Sequence, residues 1–377
     1  MPTTRYTMKN LLISVFLLTT VHPNAQQEKA KSKKEDLSLQ PTRNLFIITT
    51  DGFRWQEVFT GADSSLINNE SCTLDTATAQ LLYWNSDPGI RRKKLMPFLW
   101  NVLAKKGQLF GNRVYDNKVN ISNTWAVSYP GYNEIFTGDD DITVSSNKKI
   151  NNANINVLEY LNATKAYEGK VAVFTSWDVF PYILNKERND LPVNAGYENI
   201  EDDSLSITQQ LINRVQQDAV FEKEETRHDA LTFEAAKEYL KKKQPKVLYL
   251  GLGETDEFAH HGRYDLYLQQ ANNFDKMLSE LWYWVQTTPG YKDNTIFIIT
   301  TDHGRGKKPA KWAKHGYFTE GSSQTWLAVI GPGIQPLGEI KELQQIYQKQ
   351  LAQTIALLLN EKFEADHVIA EAISFNR

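Results

Sequence analysis

Leu45-Phe46-Ile47-Ile48-Thr49-Thr50-Asp51-Gly52-Phe53-Arg54 is an apolar, β-branched run that stops on an acid and a glycine. Near-continuous hydrophobicity, as opposed to alternation, marks a strand covered on both faces. Four more stretches read the same way: Val171–Thr175, Val247–Leu252, Thr295–Thr300 and Trp326–Ile330. Helical periodicity lies between them, over Met96–Lys106, Leu205–Val215, Asp229–Lys243, Asp265–Gln286 and Tyr347–Asn360. Strands alternating with helices predict an α/β fold, with a mostly parallel central sheet and helices on both faces. No linker interrupts residues 44–377, so one large domain is expected there. Within it Gly61–Lys94, poor in periodicity, reads as a small cap or insertion.

The N-terminus has a different character. Arg5 and Lys9 precede the apolar run Leu11–Leu18, and His22-Pro23-Asn24-Ala25 comes next. A basic start, a short apolar stretch and a small residue at the cut predict a signal peptide over residues 1–25. The alternative is a retained anchor, although the run is short for a bilayer. Residues 26–43 are polar, charged and aperiodic, and read as a flexible lead-in. The expected product is exported, periplasmic or secreted. It has no membrane span once the signal is removed.

Composition excludes several classes. Lys+Arg number 42 against 45 Asp+Glu, so the net charge is 42 − 45 = −3. Loss of Arg5 and Lys9 with the signal makes it 40 − 45 = −5. That balance leaves no basic footprint for nucleic acid. One cysteine, Cys72, can form neither an internal disulfide nor a thiolate zinc module. Metal or proton chemistry has to come from carboxylates and the seven histidines.

In open α/β sheets, sites gather beyond the carboxyl ends of the strands. Leu45–Thr50 runs into Asp51, and Val247–Leu252 into Gly253-Glu254-Thr255-Asp256, with His260 one helical turn on. Thr295–Thr300 runs into Thr301-Asp302-His303-Gly304, and Lys314-His315-Gly316 comes soon after. A single Asp after a strand is commonly a cap or turn residue. Recurrence at three strand ends, with three histidines, makes an oxygen and nitrogen ligand set suited to zinc or manganese. It is large enough for two ions.

A nucleophile candidate stands elsewhere. Asn123–Gly138 carries no charge before Glu134 and starts as a loop before turning helical. Pro130 suits a first helical turn, which puts Ser128 at the helix N-terminus. There it is either an N-cap or a nucleophile whose phosphoryl group the helix end would hold.

Together these residues resemble the alkaline phosphatase superfamily, closest to its type I phosphodiesterase/nucleotide pyrophosphatase branch. The matching motifs are Thr50-Asp51-Gly52, Ser128-Tyr129-Pro130 with Ile135-Phe136-Thr137-Gly138, Asp256 with His260, Asp302-His303-Gly304 and His315-Gly316. They occur in the family's order. The resemblance implies two divalent ions, zinc or manganese. One would be held by Asp256, His260 and His315. The other would be held by Asp51, Asp302 and His303, with Ser128 as a further ligand and as the nucleophile that becomes phosphoseryl. It also implies an asparagine that orients phosphate. Asn147, Asn151, Asn152 and Asn154 all qualify, and Asn147 is the choice.

Departures bear on specificity. Gly131-Tyr132 stands where that branch has Asn-His, and the nucleophile is Ser where Thr is commoner. A sulfatase would carry Cys/Ser-x-Pro-x-Arg, and the last position here is Tyr132. The expected substrate is a small-molecule phosphate ester, with a lean to diesters or pyrophosphates. A phosphomonoesterase, a sulfatase, a phosphoglycerate mutase-like enzyme and a non-catalytic exported metal binder are the alternatives. Trp177, Asp178, Phe180 and Tyr182 come after a strand, and either line the pocket or pack beneath a loop.

Overall fold

Residues 43–218 and 226–375 are described in a computed structural model; the expected signal peptide and the expected lead-in up to residue 42 lie outside them. All five apolar runs form strands. In chain order the strands are β1 (Asn44–Thr50), β2 (Gly107–Phe110), β3 (Asn117–Asn120), β4 (Val171–Thr175), β5 (Val193–Ala195) and β6 (Val247–Leu252). They continue with β7 (Thr295–Thr300), β8 (Gln324–Thr325), β9 (Leu327–Ile330), β10 (Gly338–Glu339) and β11 (Gln344–Tyr347). Eight build the central sheet in the order β10-β2-β9-β7-β1-β6-β4-β5, while β11, β3 and β8 form a small second sheet.

The central sheet is parallel except at β9, which runs against both β7 and β2. The expected strand at Trp326–Ile330 is therefore present but reversed. Hydrophobicity reports that a strand is buried on both faces and is blind to its direction. The short strands β2, β5 and β10 have too few residues to show a pattern.

β1 explains why the runs read as continuous. Phe46 and Ile48 enter one apolar cluster, and Leu45 and Ile47 enter the other, on the opposite face of the sheet. Both clusters are closed by helices. The longest is Tyr264–Thr287, which buries Tyr267, Leu268, Ala271, Phe274, Leu278 and Leu281. The expected helix over Met96–Lys106 is instead a wide π-type turn, Leu99–Leu103, followed by a short α-turn, Ala104–Lys106. None of the helices among the described residues is long and apolar enough to cross a membrane.

Residues 61–94 fold as three short helices, Ser64–Ile67, Thr76–Tyr83 and Pro88–Leu95. Each starts at an aspartate whose side chain accepts backbone N–H groups of the first turn: Asp63, Asp75 and Asp87. Leu66, Ile67, Cys72, Tyr83 and Leu95 join the larger apolar cluster, so this segment is packed onto the core. Beside it, Arg54 and Glu57 form a fully buried ion pair that Tyr264 completes with a 2.9 Å hydrogen bond to Glu57.

Asp275 acts across the core. Its carboxylate accepts from the backbone N–H groups of Phe98 (2.6 Å) and Leu99 (2.8 Å), more than 170 residues away in sequence. Burial pushes its pKa up to about 7. A raised folded value means the folded state holds the extra proton between about pH 4, the ordinary aspartate value, and pH 7. This contribution to stability is complete below that window and is lost as pH rises through it. Urea midpoints of Asp275→Asn should therefore fall less steeply than wild type over that range. Parallel slopes would reject the assignment.

Candidate metal centre

β7, β1 and β6 are adjacent and parallel, so their carboxyl ends point the same way. Thr49 pairs with Thr300, and extending that register by two residues brings Asp302 beside Asp51. β6 ends level with β1, where Thr50 pairs with Leu252. The helix Glu254–His260 starts just beyond and carries Asp256 and His260 on one face, one turn apart. Thr255 ties this helix to the end of β1: its hydroxyl donates to the Asp51 carbonyl at 2.5 Å and contacts the Thr50 hydroxyl at 2.8 Å.

His303 lies at the centre. Its Nε2 is 3.3 Å from Ser128 Oγ, 3.4 Å from Asp51 Oδ1, 3.6 Å from Asp302 Oδ2 and 3.8 Å from Asp256 Oδ1. These distances are at or beyond the long end of hydrogen bonding. His303 Nδ1 is 2.8 Å from the Gly304 carbonyl, which only a protonated Nδ1 can satisfy. Nε2 is then the ligating nitrogen in the neutral ring. Two sets of ligand atoms lie within 4.8 Å of one another: Asp51, Asp302 and His303, and Asp256, His303 and His315. His260 adjoins the second set, with Nε2 at 2.8 Å from Asp256 Oδ2 and 3.1 Å from His315 Nε2. The structure thus gathers all six expected ligand residues and places His303 between the two sets.

The electrostatics favour a cation. Asp51, Asp302 and His303 are all buried. Burial and then the neighbouring Asp51 push the Asp302 carboxyl up to about 7. Burial alone would lower His303, but Asp302 and Asp51 outweigh it and raise the imidazole to about 9. His315 goes the other way, far below the usual value, through burial and then its neighbours His303 and Arg305. Asp302 Oδ1 accepts from Gly52 N at 3.0 Å, while Oδ2 is buried with no hydrogen-bond partner. An orphaned carboxylate oxygen among further carboxylates is costly unless a cation meets it. The residues present therefore fit divalent metal.

Ser128 is the first residue of the helix Ser128–Thr137, and Val127 occupies the cap position without a side-chain bond. Ser128 is thus not a capping serine. Its Oγ faces Asp51 Oδ1 at 3.4 Å and opens on a cavity of about 330 Å³. Asn147 lines the same cavity, with Oδ1 accepting from Tyr129 N at 3.0 Å. The other asparagines are engaged elsewhere: Asn151 with Glu187, Asn152 with Asn133 and Asn154 with Asp141. Trp177 and Asp178 line the cavity, as does Val179. Phe180 is buried in the core against Tyr132, with ring centroids 4.6 Å apart, and Tyr182 is not among the lining residues. Of the two readings, pocket lining therefore holds for Trp177 and Asp178 but not for Phe180 and Tyr182, because the chain turns into a short helix, Phe180–Ile183, directly after the strand-end loop.

Several participants escaped the sequence reading. Arg305, fully buried, places its guanidinium on the Asp256 carboxylate and donates to the Ala313 carbonyl at 2.6 Å. Its position, one residue beyond Asp302-His303-Gly304, was the available signal. Tyr132 donates its hydroxyl to Asp51 Oδ2 at 3.1 Å, so this departure from the family pattern contacts one of the expected ligand residues. Gly131, the other departure, lets the helix approach β7's end: a Cβ there would meet the Asp302 carbonyl oxygen at 2.5 Å. Gly52 has φ +57°, and a Cβ would strike Asp256 Oδ1 at 2.5 Å. Among the remaining histidines, His228 contacts Glu254, His261 the Glu257 carbonyl and His367 the Thr137 carbonyl.

A family model described as the metalloenzyme superfamily matches residues 61–317, more than half of the chain. None of the curated proteins matches the sequence. Solved structures share the fold at low identity. The alkaline phosphatase PafA superposes with a TM-score of 0.57 at 11% identity, over 89% of this chain and 99% of its own. A phosphonate monoester hydrolase of Agrobacterium radiobacter gives 0.54 at 13%, over 88% and 76%. The lipoteichoic acid synthase LtaP of Listeria monocytogenes gives 0.52 at 13%, over 86% and 73%.

Proposed function

The chain belongs to the metalloenzyme superfamily, and from that premise we propose an exported, two-metal hydrolase of phosphoric esters that works through a phosphoseryl intermediate at Ser128. The observation that carries this reading is the Ser128 hydroxyl, uncapped at a helix start and set between Asp51 Oδ1 and His303 Nε2 at the mouth of a cavity. Asp51, Asp302 and His303 would hold one ion, and Asp256, His260 and His315 the other. Zinc or manganese held there would lower the pKa of a hydroxyl and offset charge on the attacking and leaving oxygens.

This chain's own residues supply the rest. Ser128 Oγ gives up its proton and attacks phosphorus as the P–O bond to the leaving oxygen breaks; the leaving group departs with a proton from solvent, and the phosphoryl group comes to rest at the start of a ten-residue helix, where the macrodipole favours anions. Asn147, held by Tyr129 N through Oδ1, presents its amide N–H₂ to a phosphoryl oxygen. Water then adds its oxygen to phosphorus as the P–Oγ bond breaks, so that the phosphate product leaves and Ser128 Oγ regains a proton.

Of the expected substrate classes, diesters have support in the lining. Among the described lining residues the one lysine, Lys149, is paired with Asp178 at 2.5 Å, and Glu257 adds a further acid. A monoester dianion carries one more negative charge than a diester, and beyond the proposed ions this wall offers it no uncommitted lysine or arginine. The test is turnover of bis-p-nitrophenyl phosphate, p-nitrophenyl phosphate and p-nitrophenyl sulfate by metal-loaded mature protein. The diester should be turned over fastest. A faster monoester would make the protein a phosphomonoesterase, and a faster sulfate ester a sulfatase.

A further inference from the structure

The loop that delivers Ser128 contains a conformation that alanine disfavours. Ala126 has φ +49°, in the left-handed region, only two residues before the nucleophile. Its carbonyl oxygen lies 3.1 Å from His315 Nδ1. A carbonyl can only accept, so Nδ1 carries the proton and Nε2 keeps the lone pair that faces Asp256 and His260. One strained residue thereby sets both the entry of the Ser128 helix and the orientation of a ligand histidine from a loop 189 residues away.

Something has to hold Ala126 there, and two buried side chains do so. The Asn123 carboxamide accepts from Ala126 N through Oδ1 at 2.9 Å and donates from Nδ2 to Glu134 Oε2 at 2.8 Å. The Glu134 carboxylate, fully buried on the Ser128 helix itself, also accepts from Ser122 N (2.7 Å), Ser122 Oγ (2.8 Å) and Asn123 N (3.0 Å). Lys349 N adds a longer contact at 3.3 Å. Nearly all of this carboxylate's acceptor capacity is spent on one backbone turn. None of the ion pairs among the described residues involves Glu134, so its role is hydrogen bonding to that turn.

We propose that Glu134 and Asn123 are positioning residues: they clamp Ala126 in its left-handed conformation and so lock His315 and Ser128 into a single arrangement. Neither touches the ligand cluster. They act through the Ala126 carbonyl, as an outer partner that fixes the tautomer and direction of a metal-binding imidazole. The inference rests on the two-metal reading above, and its test separates the two.

The full mature chain is stripped of metal and titrated with cobalt(II), followed by visible absorption, and kcat is measured with bis-p-nitrophenyl phosphate. Asn123→Ala should weaken one of two cobalt steps by about 10–100-fold, leave the other unchanged and lower kcat about tenfold. Adding Ala126→Gly to Asn123→Ala should recover about tenfold in the weakened step, because glycine carries no left-handed penalty. A merely structural role predicts the opposite, since a further glycine loosens the loop. If Asn123→Ala does not fold, Ser122→Ala, which removes one donor to Glu134, should weaken the same cobalt step about two- to fivefold. Folded Asn123→Ala with both cobalt steps and kcat at wild type overturns the clamp. So does a loss that Ala126→Gly deepens, or wild-type cobalt binding in Ser122→Ala where that variant stands in. Wild type that binds two cobalt ions without turnover overturns the hydrolase reading alone, and the cobalt titration still decides the clamp. Wild type that binds no cobalt overturns both.

Discussion

Ser128→Ala should lower kcat by on the order of 10⁴-fold or more while the protein still binds two metal ions. In the proposed mechanism the hydroxyl is needed for chemistry and for little else. It makes two long contacts, 3.4 Å to Asp51 Oδ1 and 3.3 Å to His303 Nε2, and it caps nothing. Its loss should therefore change stability by about 1 kcal/mol or less. The six proposed ligand side chains arise from other elements and stay in place. The helix Ser128–Thr137, buried along its whole length, also stays in place. Kinetics, metal analysis and a urea midpoint on the same preparation form the check. Full activity in the variant sinks the phosphoseryl mechanism. Loss of activity together with both metals would recast Ser128 as a structural ligand.

The second large effect is at Asp302. Asp302→Asn should weaken metal binding at the Asp51–Asp302–His303 set by more than about 100-fold, beyond the range typical of outer partners, and abolish turnover. Asp302 Oδ2 is the buried oxygen left without a hydrogen-bond partner, and Oδ1 is already taken by Gly52 N. An amide there puts either an N–H₂ group or a neutral oxygen against the site. The Asp302 pKa, raised by burial and by Asp51, has a counterpart in stability. Metal-free Asp302→Asn should be at least as stable as metal-free wild type at pH 8, because it removes a buried charge. Metal-loaded wild type should be the more stable of the loaded forms. Chelation of wild type should reproduce the inactivity, and zinc or manganese should reverse it, whereas Asp302→Asn should stay inactive at any ordinary metal concentration. Wild-type affinity in Asp302→Asn would remove this residue from the ligand set.

Much of the fold and the site is legible in the sequence. Continuous β-branched runs of five to seven residues have one stable fate, a strand buried on both faces, and such strands in α/β proteins deliver side chains at their carboxyl ends. The segments just beyond the runs contain Asp51, Asp256, Asp302, His260, His303 and His315, and the start of the helical pattern at Ser128 marks the nucleophile candidate. The choice of Asn147 over its neighbours had no such local signal. Only the cavity, which Asn147 shares with Ser128, separates it from Asn151, Asn152 and Asn154.

Three features were decided by tertiary structure alone. β9 runs antiparallel, because strand direction is set by chain connectivity and leaves the apolar pattern unchanged. His303 sits between both ligand sets, and Arg305 lies on Asp256, because the registers of β6 and β7 against the β1 strand between them decide which strand-end residues meet. Ala126 holds a left-handed turn that its own side chain disfavours, because Asn123 accepts from its backbone N–H and is itself held by Glu134 from the packed Ser128 helix. Sequence determined which residues reach the end of the sheet, since burial leaves a local periodic record. The fold determined which atoms face each other there, since close approach depends on packing and leaves none.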